Sequence, residues 1–169
     1  SNSGIGYAKG IDLFWRDKKT WKRSDYWISY SLLDTKRNYL NYPAAATPTF
    51  AASHVLNVVY KYMIPKWNTY VGATYTFASG RPYYNPNNPD FLADKTKSYN
   101  NFSLNVSYLT SIAKQFTIIY VSVENVFGIS NTYGYRYSAD GTVKKPIEPS
   151  APRAIFAGVF ITLGDDSFR

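Results

Sequence analysis

The residues able to do chemistry in this chain are few. There is one histidine, His54, and no cysteine, which excludes disulfides, thiolate metal sites and cysteine nucleophiles. A Ser-His-Asp arrangement around His54 would have to be built by the fold, because no spacing in the sequence announces one. The plainer reading is a histidine at the end of a strand. The run Ser79-Gly80-Arg81-Pro82-Tyr83-Tyr84-Asn85 offers more. Arg81 is a cation for an anionic chelate, Tyr83 and Tyr84 are faces on which a ligand can stack, and Asn85 adds an amide. Turn chemistry accounts for the same residues: Gly80 permits a bend, Pro82 stiffens the loop and the tyrosines mark a membrane rim. The structural account is the favoured one. The next run, Asn85-Pro86-Asn87-Asn88-Pro89-Asp90, carries oxygen atoms but lacks the acidic density of a calcium loop. A rigid polar loop and no metal site are expected. Asp12, Trp27, Lys61 and Glu124 are polar or amphipathic positions inside otherwise apolar-alternating segments. No constellation points to catalysis, so the chain is not expected to be an enzyme, nor to hold a cofactor.

The elements that position these residues read as strands. The hydrophobic share is 45%, mean hydropathy is −0.32 and the aromatic share is 18%. No stretch approaches the roughly 18 consecutive apolar residues of a membrane helix. Alternation at period two recurs instead. In residues 101–108, Phe102, Leu104, Val106 and Tyr108 alternate with Asn101, Ser103, Asn105 and Ser107. Similar segments span 4–16, 25–34, 54–64, 67–78, 116–127 and 154–163. Each is about the roughly 9–11 residues that cross a bilayer at a tilt. One chain of 169 residues makes one domain, residues 1–169. Its first residues have neither a charged nor an apolar region of the signal-peptide kind.

The connections alternate in length. Residues 17–22, 65–66 and 111–115 are short; residues 35–52, 79–98 and 128–153 are long and rich in Pro, Asn, Gly and Tyr. Outer-membrane barrels sort their connections this way, with short periplasmic turns and long outer loops. Trp15, Trp21 and Trp67 flank the short turns, and Trp27 lies near one, as in an interfacial belt. The net charge is +8, and Arg16, Lys18, Lys19, Lys22, Arg23, Lys66 and Lys114 cluster at the same turns. There they can snorkel toward lipid phosphates. No nucleic-acid-binding module accompanies them, so no nucleic-acid partner is expected.

The fold class expected is all-β: an antiparallel up-and-down transmembrane β-barrel segment of about seven strands. An odd count leaves open edges, which lipid does not tolerate. An eighth strand from residues 133–145, turning at Ala139-Asp140-Gly141-Thr142, is short and carries Arg136, Lys144 and Lys145. It reads better as a protruding extension of a loop. Partner strands outside this sequence are therefore expected.

Four runs carry a family resemblance: Gly6-Tyr7-Ala8-Lys9-Gly10-Ile11-Asp12-Leu13-Phe14-Trp15-Arg16, Asp25-Tyr26-Trp27-Ile28-Ser29-Tyr30, Tyr75-Thr76-Phe77-Ala78-Ser79-Gly80-Arg81-Pro82-Tyr83-Tyr84-Asn85 and Val123-Glu124-Asn125-Val126-Phe127-Gly128. In this order they resemble the C-terminal barrel strands of TonB-dependent outer-membrane receptors of the kind common in Bacteroidetes. The resemblance implies a barrel of about 22 strands around a plug, located in the bacterial outer membrane. It implies uptake of an iron chelate, cobalamin or a glycan, powered through TonB contacts made by an N-terminal region that this sequence lacks. It also implies outer-membrane lipid, the remaining strands and the plug as partners. In that setting Arg81, Tyr83, Tyr84 and Asn85 are candidate ligand contacts, and Asp12, Trp27, Lys61 and Glu124 face the lumen. The tail Gly164-Asp165-Asp166-Ser167-Phe168-Arg169 departs from the aromatic ending of many such barrels. A free-standing small barrel of structural or adhesive role, and a soluble lipocalin-like barrel, are the alternatives.

Overall fold

The computed structural model describes residues 4–39 and 42–163; the C-terminal tail singled out above lies outside them. The strands are β1 (Gly6–Asp17), β2 (Ser24–Arg37), β3 (His54–Ile64), β4 (Thr69–Ala78), β5 (Tyr99–Ile112), β6 (Gln115–Glu124), β7 (Gly134–Tyr137), β8 (Lys144–Ile147) and β9 (Ala154–Ile161). Seven of them form one antiparallel up-and-down sheet in the order β1-β2-β3-β4-β5-β6-β9, and β7 and β8 form a separate ribbon. The sheet is not closed: β1 and β9 are its two edges. The expected extension of the last long loop is therefore present as its own hairpin, reaching Ile147 rather than stopping at residue 145.

The short turns show why the chain reverses where it does. Asp17 accepts hydrogen bonds from the Lys19 and Thr20 amides at 2.6 and 2.9 Å, an Asx-type closure. Between β3 and β4 one turn of 3-10 helix, Pro65–Trp67, ends on Asn68 in the left-handed region. Its start on a proline uses a ring already set near helical φ. Between β5 and β6 only Ala113 and Lys114 intervene, with φ of 50° and 65°. Two left-handed residues in a two-residue loop match the right-handed twist of the flanking strands.

Strand ends differ from expectation where local geometry intervenes. β6 stops at Glu124 rather than residue 127, because Asn125 takes φ 51° and turns the chain. β4 begins at Thr69 because the 3-10 turn uses residues 65–67. β2 and β5 run longer than the alternation suggested.

Register sorts the side chains. A single row across the sheet reads Tyr26, Tyr60, Ala73, Leu104, Val123, Ile155. The next reads Trp15, Ile28, Val58, Tyr75, Phe102. Both lie on one face, and side chains one residue away in each strand lie on the other. The first row starts beside the β1–β2 turn and ends at the long-loop ends of β6 and β9. The strands are thus strongly staggered, the arrangement that tilted strands produce. The apolar face lies bare: Ile11, Leu13, Trp15, Leu104, Val121 and Val159 are all exposed. The buried apolar side chains are found instead in or next to the long loops, among them Ala46, Pro48, Ala51, Tyr83 and Leu92. A one-layer sheet has no core of its own; its loops pack, and its faces await cover.

Candidate functional site: the polar face and the loop cluster

The face opposite the apolar rows carries small polar side chains. Thr76 donates to Asn57 at 3.0 Å and Ser103 donates to Asn101 at 3.0 Å. At the short-turn end of this face Arg16 grips Asp25 through two parallel bonds, Nε to Oδ1 at 2.8 Å and Nη2 to Oδ2 at 2.5 Å. The same guanidinium lies 5.1 Å from the Trp27 ring, and the Lys61 ammonium lies 5.2 Å from it. Trp27 is therefore a platform for two cations, each attracted by the ring quadrupole. One of them is neutralised by Asp25; the other is exposed. Beside this group a depression of about 470 Å³ is lined by Asp25, Lys61, Tyr70, Asn105, Ser107 and Tyr120.

Of the four residues expected on one face, Trp27 and Lys61 are thus brought together. Asp12, opposite Ser31, and Glu124, opposite Ala154, share the face by register but stand apart from that pair. Gly72 underlies the same surface. A β-carbon there would lie 2.6 Å from Asn105 Oδ1, so the bare backbone is what lets Asn105 lie flat.

The second candidate region is the long loop 79–98. It folds back on itself: Thr96 N donates to Arg81 O at 2.9 Å, Arg81 N to Thr96 Oγ1 at 3.0 Å, and Tyr83 N to Asp94 O at 3.0 Å. A β-carbon on Gly80 would lie 2.0 Å from the Thr96 carbonyl oxygen, so the close crossing of the two loop arms requires glycine. The tyrosines diverge. Tyr83 is buried, and its ring packs on Tyr135 at 4.6 Å. Tyr84 is exposed, near Phe91. The Asn85 amide donates to Asp94 at 2.5 Å. Arg81 forms no ion pair among the described residues. In the following run, Asn85 and Asn88 spend their side-chain oxygens on the amides of Asn87 and Asp90, and no group of metal-binding side chains occurs among the described residues. His54, on the apolar face, shares a hydrogen bond with the Tyr30 hydroxyl at 2.8 Å.

Two features had little signal in the sequence. Lys144 reaches from the β7–β8 ribbon into a nest of tyrosines. Its ammonium donates to Tyr83 Oη at 2.7 Å and lies 3.9 Å from the Tyr135 ring. The Tyr83 bond raises the Lys144 pKa, and desolvation pushes the Tyr137 phenol up. Asn125 is the other. Buried and left-handed, it donates to the carbonyls of Ile129 and Pro152 at 2.8 and 2.6 Å, and its oxygen accepts the Ile129 amide at 3.1 Å. It fastens both ends of the last long loop. Its one sequence cue was an asparagine, the residue type that tolerates left-handed backbone best after glycine.

No protein-family model matches the chain, and neither a curated protein nor a solved structure matches it.

Proposed function

We propose that this chain is the C-terminal portion of the transmembrane β-barrel of an outer-membrane uptake receptor of the TonB-dependent kind. The observation that carries the reading is the sorting of side chains by register. Apolar residues dominate one face of the seven strands, exposed on β1, β6 and β9 and half-buried on β3 and β4, while the other face carries serines, asparagines and charged groups beside Phe14, Ile118, Phe156 and Phe160. A bilayer outside and a wet, plugged interior inside would cover these two faces. Three supporting facts point the same way: the turn parity, the stagger of the rows and the aromatic residues at the short-turn end. Trp21 stacks on Tyr26 at 4.9 Å there, and Tyr26 neighbours Tyr60 at 6.3 Å.

In this reading the edges β1 and β9 pair with further strands, which would satisfy the ladder groups that lipid cannot. Asp12, Trp27, Lys61 and Glu124 face the interior, where the plug and the path of the ligand lie. The loops bearing Arg81, Tyr83, Tyr84 and Asn85 stand on the outer side, and the half-buried Arg81 and the exposed Tyr84 are the better ligand contacts. The ligand is a scarce one of the iron-chelate, cobalamin or glycan class. TonB acts through a region N-terminal to these strands. The chain carries no catalytic role and binds no nucleic acid.

The test is the polypeptide that carries these residues. Recovered from a washed outer-membrane fraction and denatured, it should have a mass several times 19.2 kDa and should need detergent to stay in solution. A mass near that value would favour a free-standing small barrel. Solubility without detergent would favour a binding barrel of the lipocalin type.

A further inference from the structure

On the apolar face the side chains of β4 are small where those of β3 are large. Ala73 sits in register between Tyr60 and Leu104, and Val71 between Tyr62 and Val106. A groove therefore runs along β4. Its upper part, about 340 Å³, is lined by Tyr60, Tyr62, Val71, Ala73 and Leu104. Its lower part, about 650 Å³, shares Val71 and opens at the short-turn end beside Lys66, Trp67 and Tyr108. Tyr75, the next β4 residue on this face, stands between Val58 and Phe102 and closes the groove above.

From Thr69 to Ala73 the groove is about 13 Å long at ~3.3 Å per residue. That is close to one leaflet of the hydrocarbon layer, half of the roughly 30 Å core. Among the residues that line the groove, charge stands at one end only. Lys66 and Trp67 are exposed at the mouth. The neighbouring turn, which carries Arg23, is tied to β3 by a 2.9 Å bond from Met63 N to Arg23 O. No Asp or Glu occurs anywhere between Asp34 and Asp90, so nothing acidic on β3 or β4 opposes an anion at this mouth.

We propose that this groove is a specific site for an anionic glycerophospholipid of the leaflet on the short-turn side, a proposal that rests on the membrane-spanning reading above. One acyl chain lies along β4 over Val71 and Ala73. The phosphate meets Lys66, and the Trp67 ring lies at the level of the headgroup, where amphipathic rings settle. An apolar slot with cations at a single end fits a molecule that is apolar along its length and anionic at one tip. A protein strand fits poorly, since every backbone group in the floor of the groove is already used by the β3–β4 and β4–β5 ladders.

The experiment uses the whole polypeptide carrying this sequence, delipidated in detergent and titrated with phosphatidylglycerol or phosphatidylcholine while bound lipid is counted by native mass spectrometry. Wild type should retain one phosphatidylglycerol in preference to phosphatidylcholine. Lys66→Gln, a change of an exposed side chain, should weaken that adduct about fivefold. Ala73→Phe, which fills the slot, should weaken it at least as much. Ala157→Phe, on the same face of β9, should leave it unchanged. Equal retention by wild type, Lys66→Gln and Ala73→Phe would overturn the site. Insertion into phosphatidylglycerol vesicles is measured alongside. If all variants insert and only the adduct fails to respond, the groove proposal falls alone. If wild type does not insert, the membrane-spanning reading falls with it.

Discussion

The ammonium of Lys144 lies 2.7 Å from the hydroxyl of Tyr83, joining two segments 61 residues apart. The contact is the centre of a seam between the loop 79–98 and the β7–β8 ribbon. Asn87 Nδ2 adds a 2.8 Å bond to Gly141 O, and the Tyr83 and Tyr135 rings pack together. Two loops that leave different strands are thereby held as one cap over the long-loop end of the sheet.

Replacing Lys144 with Met should loosen that cap while leaving the sheet intact. An exposed cation–π contact contributes roughly 0.5–1 kcal/mol, enough to speed local opening a few-fold. Hydrogen exchange at the amides of Tyr83 and Thr96 should accelerate together, with β4 and β5 unchanged. Acceleration at Tyr83 alone would mean that the two arms of loop 79–98 are not coupled through this contact.

The turn of the β7–β8 ribbon should respond to acid. Ser138 and Thr142 donate to the Asp140 carboxylate and hold its pKa at about 2, below the ordinary value of 3.8. A depressed carboxylate contributes order that is fully present above its unfolded pKa and is lost as pH falls through the folded one. The ribbon should therefore stay ordered above about pH 4 and loosen between about 4 and 2. Asp140→Asn should remove that pH step, as read by amide shifts of Thr142 and Val143 across the titration.

The β5–β6 turn is built from residues that dislike their conformation. Ala113 and Lys114 both have positive φ, where a β-carbon is unfavourable. Converting the pair to Asn-Gly, the sequence best suited to this turn, should stabilise the hairpin by roughly 1 kcal/mol. A denaturant midpoint that does not rise would show that the turn is set by the strands around it rather than by its own residues.

Asn125→Ala should be among the most damaging single changes in the loops. It removes bonds to both Ile129 and Pro152 and puts a less tolerant residue at φ 51°. Three lost part-buried bonds cost roughly 2–4 kcal/mol. Protease sensitivity should appear within residues 126–152 before it appears in β6 or β9. Asn125→Gly restores the backbone freedom but not the bonds, so it separates the two causes.

What the sequence made legible follows from what each element needs. Strands β1 to β6 and β9 show themselves because one dry and one wet face impose period two, and Phe102 to Tyr108 can hardly be read otherwise. Placement of Asp12, Trp27, Lys61 and Glu124 on one face followed from parity alone. Their grouping did not, because the approach of Arg16 and Lys61 to Trp27 depends on the register between neighbouring strands, which parity does not fix. The loops were illegible for a related reason. Nothing in the run 79–85 names a partner for Tyr83, and only the fold of the ribbon reveals that Lys144 claims it. Asn125 lies inside the segment 116–127 that reads as a strand, since apolar Val126 and Phe127 follow it, while the backbone has already turned.

The two faces make opposite demands, and adjacent residues of β6 expose the difference. Val121 lies in the apolar row with Val106 and Ala157, and Ser122 lies beside Asn105 on the polar face. Under the membrane-spanning reading, Val121→Arg places a charge against lipid and should destabilise the barrel by about 2–4 kcal/mol near the midplane. Ser122→Arg turns the same charge into the wet interior and should cost far less. The measurement is the denaturant midpoint of the intact protein folded in lipid vesicles, with outer-membrane yield as a second readout. The reverse ranking would mean that the polar face meets the bilayer. Equal, small effects would mean that neither face does, and that the apolar rows are covered by protein.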